Sequence, residues 1–239
     1  MKIKLKKYKK VKSTNDIALK LIKKNNSCPM LVTSEQQTNG RGRVGKKWIS
    51  NTGNLFISLF FKFDQKKINF KQFAILNAFL LRKVLSKIIA KKIKIKWPND
   101  LLVNERKFCG ILQEVIRFND FDYLIVGVGL NTNIAPQNKS FYSTSLKNIL
   151  NIKINNQKIL KNIVIAYERF LTEKNNLSFS DMKRFPFSET HFFPTVPLPL
   201  VCFSVITIVG FVIFFLISLR AVSFVLFTFL YFITLIFIN

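Results

Sequence analysis

Short apolar runs with the spacing of β-strands alternate with amphipathic runs between residues 13 and 173, and this alternation restricts the fold more than any other feature. In STNDIALKLIKK, residues 13–24, Ser13 and Asp16 have the spacing of a helix start, and Ile17 and Leu21 share one face. The sequence therefore predicts one α/β domain that ends near residue 185 and is large enough for its own core. Further helices are predicted at 69–90, 142–150 and 157–173, and strands in MLVTSEQ, NLFISLFFKF, IKIKW, CGILQEVIRF and YLIVGVGLN, with a polar turn at Asn119-Asp120.

The composition changes abruptly near residue 185. No lysine follows Arg184, and half of the 26 phenylalanines lie from Phe185 onward. Residues 198–219 and 221–238 are uncharged, and a bilayer is crossed by roughly 20 apolar residues. The apolar tail, residues 186–239, therefore has three explanations: a membrane anchor, a buried helix, or an end read in a changed frame of an A/T-rich gene.

The charge balance alone does not select a partner. A net charge of +26, from 38 Lys and Arg against 12 Asp and Glu, suits nucleic acid, anionic lipid or a phosphate-rich ligand. An A/T-rich coding sequence also produces many lysines without any polyanionic partner. Nucleic-acid binding additionally predicts clustered stacking residues, and none stands out beyond the basic loop described below.

Cysteine and histidine usage excludes several kinds of site. Cys28, Cys109 and Cys202 form no CxxC pair, so a disulfide framework is not expected. We expect a reducing, cytoplasmic compartment. His191 is the single histidine, which argues against a Ser-His-Asp triad or a histidine zinc site. The N-terminal run of lysines has no apolar core behind it and is not a secretory signal. Chemistry is left to Lys, Arg, Asp, Asn and backbone groups, which suits adenylyl or phosphoryl transfer.

The run TNGRGRVGKKW at 38–48 combines three glycines with four cations. It lacks the Gly-Lys-Ser/Thr ending of a P-loop and the glycine spacing of a Rossmann fingerprint. By itself it reads as a solvated basic hairpin. Polar or glycine residues also stand beside strands in KWPNDLL (96–102), RKFCGILQE (106–114) and GVGLN (127–131), where a ligand could be gripped.

These stretches and STN at 13–15 occur in the order found in biotin protein ligases, and the chain resembles their catalytic domain from about Val11 to about Phe185. The resemblance implies a mixed β-sheet flanked by helices, a fold related to class II aminoacyl-tRNA synthetases. It also implies a two-step reaction. Biotin and MgATP give biotinyl-5′-adenylate and pyrophosphate, and a lysine of biotin carboxyl carrier protein then displaces AMP.

The resemblance implies biotin contacts in three parts of the chain. Hydroxyl and amide groups at 13–15, together with Gln37, would pair the ureido head of biotin, although the trio also has the pattern of a helix cap. Gly110, Ile111 and Leu112 would wall the biotin ring and its acyl chain, with Cys109 facing away. The residues implied to bind biotin are Ser13, Thr14, Asn15, Gln37, Gly40, Arg41, Gly42, Arg43, Lys107, Gly110, Leu112, Gly127 and Gly129.

Other implied roles concern the nucleotide and the reaction. Gly40 and Gly42 would let the backbone come close to the adenylate. Gly127 and Gly129 would allow a close backbone approach in the floor of the pocket. The implied catalytic cations are Lys107, Lys96, Arg41 and Arg43, with Lys107 reaching the biotin carboxylate and the α-phosphate. The residues implied to bind ATP are Arg41, Arg43, Trp48, Asn99, Asp100 and Asn131, and Asp100 would ligate Mg²⁺ together with phosphates. Trp48 stacks on adenine or is simple core.

Departures from the family pattern also shape the expectations. No winged-helix domain precedes residue 11, so DNA binding is not expected, and the apolar tail stands where the family adds a small SH3-like barrel. The alternatives are a lipoate–protein ligase, a basic membrane-anchored nucleic-acid-binding protein, and an inactive ligase remnant. Inner-membrane association through residues 198–238 depends on which explanation of the tail holds. The oligomeric state, homodimer included, is left open.

Overall fold

A mixed seven-stranded β-sheet forms the centre of the computed structural model, which describes residues 1–26, 29–66, 70–137 and 142–173. The strand order is β1-β2-β3-β7-β6-β5-β4, and only the β1–β2 pair is parallel. The elements are β1 (Lys4–Val11), α1 (Thr14–Lys23), β2 (Met30–Gln37), β3 (Leu55–Phe63), α2 (Phe70–Ser86), β4 (Lys94–Lys96), β5 (Asp100–Val103), β6 (Arg106–Phe118), β7 (Phe121–Leu130), α3 (Leu146–Leu150) and α4 (Asn156–Glu173). The predicted fold class, a mixed sheet flanked by helices, is confirmed.

The chain order explains the mixed sheet. Helix α1 connects β1 to β2, and a parallel pair needs such a crossover. The long hairpin β6–β7 turns at Asn119 (φ 46°) and Asp120 (φ 60°). Two successive positive φ angles define a type I′ turn, which asparagine and aspartate adopt more readily than most residues. The predicted polar turn is therefore present.

Alternation along the strands divides the core into two layers. On β3, Leu55, Ile57 and Leu59 pack in the cluster that includes α2 and α4, whereas Phe60 packs in the cluster that includes α1. On β6, Cys109 and Ile111 belong to the α2/α4 layer. Because successive side chains point to opposite faces, the intervening positions of β6 and β7 face the α1 side. This face carries the candidate site.

Sequence reasoning missed two strands and predicted one helix too long. The lysine-rich strand β1 was not predicted, because both of its faces are largely exposed at the sheet edge and no apolar alternation marks it. Strand β5 was not predicted either, although Asp100 pairs with Lys96 and Gly110 and so already belongs to the sheet. The predicted helix 142–150 contains only Leu146–Leu150, with Ser143 bridged to Lys107 and Ser145 capping the helix by accepting from Asn148 N.

The predictions for the apolar tail, residues 186–239, lie outside the described residues. Among the residues that are described, no helix has both the length and the apolar character needed to span a bilayer.

Candidate active site

A cavity of about 950 Å³ opens on the α1 face of the sheet. Its walls come from the start of α1, the loop at 38–48, the turn at 96–99 and the facing strands β6 and β7. The structure brings nearly all of the sequence-predicted residues to this one cavity. Of that set, the following line it: Ser13, Thr14, Asn15, Gln37, Arg41, Gly42, Arg43, Trp48, Lys96, Asn99, Asp100, Lys107, Gly110, Leu112, Gly127, Gly129 and Asn131.

The glycine-rich loop is an ordered hairpin. Gly42 N donates to Lys46 O at 2.6 Å, and Trp48 N donates to Gly40 O at 2.9 Å. Val44 (φ 51°) and Gly45 (φ 70°) form its tip, again with the two positive φ angles of a type I′ turn. The hairpin reading and the ligand-loop reading of this sequence are therefore compatible.

Gly40 is the predicted residue that does not line the cavity. A Cβ at this position would lie 2.6 Å from both Ser50 Oγ and Trp48 O, and 3.0 Å from Gln37 Nε2. The space beside Gly40 is filled by the protein itself. The lack of a side chain at Gly40 therefore lets the hairpin close, and it does not make room for a ligand.

The floor of the cavity is built from glycines that face each other across two strands. Gly110 on β6 pairs with Gly129 on β7, and Leu112 pairs with Gly127. A Cβ would lie 2.6 Å from the Trp48 ring at Gly110 and 2.3 Å from it at Gly129. The half-buried indole of Trp48 thus rests on this floor, and the expectation that Trp48 is simple core is wrong.

Gly127 makes room for another side chain of the site. A Cβ there would lie 2.3 Å from Asn15 Oδ1. We expected Gly127 and Gly129 to admit the ligand, but in the structure Asn15 and Trp48 occupy the space above them.

A chain of hydrogen bonds connects α1 with the residues before the loop. The backbone amide and hydroxyl of Thr14 donate to Gln37 Oε1 at 2.8 and 3.1 Å, and Gln37 Nε2 donates to Ser50 Oγ at 3.0 Å. The buried Ser58 hydroxyl lies 2.8 Å from Thr14 Oγ1 and 2.5 Å from Asn15 Oδ1. These bonds fix the polar end of the cavity.

The start of α1 differs from the predicted helix cap. Ser13 occupies the N-cap position with an extended backbone (φ −154°, ψ 139°), but its side chain makes no capping bond. Asp16 does not reach back to the helix start and forms an ion pair with Arg41 at 3.0 Å. The STN trio is therefore committed to the cavity wall, and the capping alternative is not supported.

The two arginines of the loop have different surroundings. Arg41 donates to both carboxylate oxygens of Glu114, at 2.7 and 2.8 Å, in addition to its pair with Asp16. Arg43 is exposed and its Nη1 lies 3.5 Å from Asn99 Oδ1. Arg41 is thus neutralised by protein carboxylates, whereas the charge of Arg43 faces solvent and the cavity.

Lys107 lies at the centre of the opposite wall. Its ammonium is 2.8 Å from Asp100 Oδ1 and 5.1 Å from the Trp48 ring centroid. The side chain is 21% exposed and belongs to β6. Lys96, at the end of β4, is exposed on the same rim.

Three buried polar atoms of the cavity wall have neither a hydrogen-bond partner nor an ion-pair partner within the described part of the chain. They are the donors Arg41 Nε and Trp48 Nε1 and the acceptor Asn131 Oδ1. Buried polar groups in native proteins almost always have partners, because an unpaired one costs about 1–3 kcal/mol. A ligand that offers both donors and acceptors would satisfy all three.

Cys109 lies on the other face of the sheet, as expected. It is fully buried in the α2/α4 layer, and this burial raises the pKa of its thiol above the ordinary range. A protonated thiol is a poor nucleophile, so Cys109 has no catalytic role at this cavity.

The described residues contain no group of three or more His, Cys, Asp or Glu side chains that could hold a metal ion by themselves. Asp100, the last residue of the KWPND motif and the first of β5, is ion-paired with Lys107. A Mg²⁺ ion that keeps waters and is held mainly by phosphates needs only one or two carboxylates. The donor set therefore suits a metal that arrives with a nucleotide.

Sequence reasoning missed the polar residues behind the predicted ones. Glu114, Ser58 and Ser50 pair with predicted residues, and Tyr142 adds an exposed wall. Glu114 could have been found, because it follows Gly110 and Leu112 at the period of two that places side chains on one face of β6. Ser58 and Ser50 carry no comparable signal.

Comparisons with known proteins identify the family that the chain is similar to. The model of the biotin/lipoate A/B protein ligase family matches residues 8–131. The chain is 35% identical over 123 residues to the bifunctional ligase/repressor BirA of Escherichia coli (strain K12), covering 51% of this chain and 38% of that protein. It is 33% identical over 127 residues to the biotin–[acetyl-CoA-carboxylase] ligase of Paracoccus denitrificans, covering 52% of each chain.

A solved structure extends the likeness to three dimensions. The biotin protein ligase from Aquifex aeolicus in complex with biotin and ATP superimposes with a TM-score of 0.64 at 29% identity, covering 76% of this chain and 75% of that chain. The chain spans about half, or less, of the length of the two curated relatives.

Proposed function

Because the chain belongs to the biotin/lipoate A/B protein ligase family, we propose that it is an ATP-dependent biotin ligase. It joins biotin to the α-phosphate of ATP as biotinyl-5′-adenylate and releases pyrophosphate. A lysine of biotin carboxyl carrier protein then attacks the acyl carbon, and AMP leaves with the electron pair of the broken acyl–phosphate bond. The carrier is an acetyl-CoA carboxylase component, in keeping with the name of the Paracoccus relative.

The polar end of the cavity supports an amide-like head group such as the ureido ring of biotin. Ser13, Thr14 and Gln37 supply hydroxyl and amide groups, and Ser13 and Thr14 are almost fully buried. A ring with two N–H donors and one carbonyl acceptor can be buried there only if these groups pair it. Leu112 and the sheet floor offer the apolar wall that an acyl chain needs.

The basic end supports a polyphosphate. Arg43, Lys46, Lys47, Lys96 and Lys107 all line the cavity. In adenylyl transfer, charge builds on the phosphate oxygens and on the departing pyrophosphate, and fixed cations stabilise it without a nucleophilic side chain. Lys107, held by Asp100, is placed to serve the α-phosphate and the biotin carboxylate together.

The observation that carries the proposal is the set of unpaired buried atoms in the cavity wall. Trp48 Nε1 and Asn131 Oδ1 are a donor and an acceptor beside the flat glycine floor. An adenine ring presents ring-nitrogen acceptors and an amino donor, and its face can stack on the indole. Arg41 Nε adds a cationic donor.

Magnesium fits the site as a companion of the nucleotide. Bound Mg²⁺ would neutralise phosphate charge. Asp100 is the carboxylate that would reach it, and Asn99 the neighbouring oxygen donor. Asn99 ends the turn and Asp100 begins β5 next to it, so the chain offers only a small part of the coordination shell.

The test is pyrophosphate release from MgATP by the full chain, with biotin or lipoate as the acid. We expect release with biotin alone and its loss in Lys107→Ala. The matched control is Lys161→Ala, an exposed lysine on α4. Release with lipoate alone would replace the proposal by a lipoate ligase. Release with neither acid, from folded protein, would refute it in favour of an inactive remnant or a polyanion-binding protein.

The second half-reaction is tested separately. Purified biotinyl-adenylate and the apo carrier protein are added to the full chain, and the carrier is weighed by mass spectrometry. A mass gain of one biotinyl group on a single carrier lysine is expected. Adenylate turnover without any carrier modification would contradict the assigned acceptor.

A further inference from the structure

Glu114 holds together three segments that are far apart in sequence. On β6 it shares the cavity face with Gly110 and Leu112. Its Oε1 accepts from Arg41 Nη1 at 2.7 Å, and its Oε2 accepts from Arg41 Nη2 at 2.8 Å and from Asn15 Nδ2 at 2.6 Å. The carboxylate thus joins the glycine-rich loop and α1 to the sheet.

The geometry around Arg41 is that of an anchor. Two parallel N–H···O bonds to one carboxylate fix the guanidinium plane, and Asp16 adds a second carboxylate at 3.0 Å. Both partners are about one-third exposed, so solvent screens the pair only in part. Arg43 has no carboxylate among its described contacts and only the 3.5 Å approach to Asn99.

Anchoring Arg41 also fixes Trp48. The backbone of Arg41 pairs with the backbone of Lys47 across the hairpin. The backbone N–H of the next residue, Trp48, donates to Gly40 O. The indole then lies on the floor at Gly110 and Gly129. A short hairpin moves as one piece, so releasing Arg41 would release Trp48 from the cavity.

The same carboxylate orients Asn15. Asn15 Nδ2 donates a hydrogen bond to Glu114, and Asn15 Oδ1 accepts one from the Ser58 hydroxyl. Both ends of this side chain are therefore already engaged within the protein. Asn15 is 3% exposed above Gly127. It therefore acts on the neighbouring Thr14 and Gln37 through the hydrogen-bond chain.

We propose that Glu114 is a positioning residue that docks the glycine-rich loop over the cavity through Arg41 and aligns the polar end through Asn15. Arg41 is then the anchor of the loop, which leaves Arg43 as the loop arginine for phosphate. This proposal differs from the expectation that both arginines serve the phosphates. The docking of the loop does not depend on any activity of the protein, whereas its consequence for catalysis rests on the proposed function.

Limited trypsin digestion tests docking without any need for activity. The loop carries cleavage sites at Arg41, Arg43, Lys46 and Lys47. Glu114→Gln keeps the size of the side chain and removes its charge, so cleavage in the loop should accelerate about tenfold relative to cleavage elsewhere in the same chain. Asp16→Asn should give a smaller acceleration, since both Glu114 bonds remain. Glu173→Gln, which removes the exposed partner of Arg169, is the matched control and should change nothing in the loop.

A double-mutant cycle identifies the partner. If Glu114 acts on the loop through Arg41, the double variant Glu114→Gln/Arg41→Gln should be cut at Arg43 no faster than Arg41→Gln alone. Additive effects, or unchanged loop cleavage in Glu114→Gln with its melting temperature preserved, would overturn the proposal. A Glu114→Gln variant that does not fold leaves Arg41→Gln and Asp16→Asn to decide, and both must then accelerate cleavage.

Steady-state kinetics separates positioning from a general loss of structure. In an active enzyme, Glu114→Gln should raise the KM for biotin about tenfold while kcat falls less, because the polar end and the loop are misaligned but Lys107 and Asp100 are not. A proportional loss of kcat at constant KM, equal to the fraction of unfolded protein, would contradict positioning. Faster loop cleavage in a protein without biotin-dependent activity would keep the docking proposal and remove the proposed function.

Discussion

Replacing Gly129 by alanine tests whether the glycine floor seats Trp48. The added Cβ would lie 2.3 Å from Trp48 Cε2 and 2.5 Å from Nε1, whereas ordinary contacts begin at 3.4 Å. The rigid indole must therefore retreat by about 1 Å or leave its seat. Because it borders the open cavity, we expect it to leave without distorting β7.

The size of the effect follows from the area that the indole covers. Lifting the indole would re-expose on the order of 100 Å² of apolar surface. At about 25 cal/mol/Å², the docked loop would lose about 2.5 kcal/mol of stabilisation. The unfolding free energy of the domain should fall by no more than about the same 2.5 kcal/mol, because no core side chain is moved. The loop should therefore respond more strongly than the rest of the domain.

Tryptophan fluorescence in a Trp97→Phe background reads Trp48 alone, since the chain has two tryptophans. Gly129→Ala should shift its emission to the red, and the KM for ATP in pyrophosphate release should rise about tenfold or more. A second change, Trp48→Phe, should restore part of the ATP KM because the smaller ring fits above the new methyl group. Unchanged emission together with an unchanged KM in Gly129→Ala would refute the seating argument.

Two further predictions concern the scaffold. Tyr167→Phe should lower the unfolding free energy measured in urea by about 1–3 kcal/mol. The Tyr167 hydroxyl donates to the buried Asn77 Oδ1 at 2.8 Å, and that acceptor would lose its donor. Tyr142→Phe, at an exposed side chain, should have no effect, and equal losses in the two variants would contradict the argument. At Glu168, the hydrogen bond from Ile3 N, followed by Lys2, lowers the pKa of the carboxyl below its usual 4.5. A lowered folded-state pKa stabilises the fold above the unfolded-state pKa and ceases to do so as pH falls through the folded-state value. Glu168→Gln should thus be less stable than the parent at pH 7, with the gap closing below about pH 4.5, and a gap that stays constant into acid would show that the charge contributes nothing.

The fold was largely predictable where apolar spacing was strong. Helix α2 follows from the face that contains Phe73, Leu76 and Val84, and strands β3 and β7 from continuous apolar runs. Strand β1 was not predictable in this way, since lysines cover an edge that has only one neighbour. Its pairing with β2 is fixed by the α1 crossover, and local composition does not encode such long-range pairing.

The residues of the candidate site were predictable because ordered motifs identified the family, and the family match confirms that resemblance. Their physical roles were less predictable. Gly127 and Gly129 were expected to admit a ligand, but they seat Asn15 and Trp48. Arg41 was expected to bind phosphate and is paired with Glu114, which is 73 residues away in sequence.

The sequence by itself determined the elements with strong apolar spacing, and its ordered motifs pointed to most of the residues that line the cavity, because periodicity and motif order depend only on neighbours along the chain. The tertiary structure alone decided which of those residues touch one another. The contacts of Arg41 with Glu114 and of Trp48 with the glycine floor require segments to meet after folding, and nothing in the local sequence fixes such distances. Those contacts pair Arg41 with two carboxylates of the protein and leave Arg43 with no carboxylate among its described contacts.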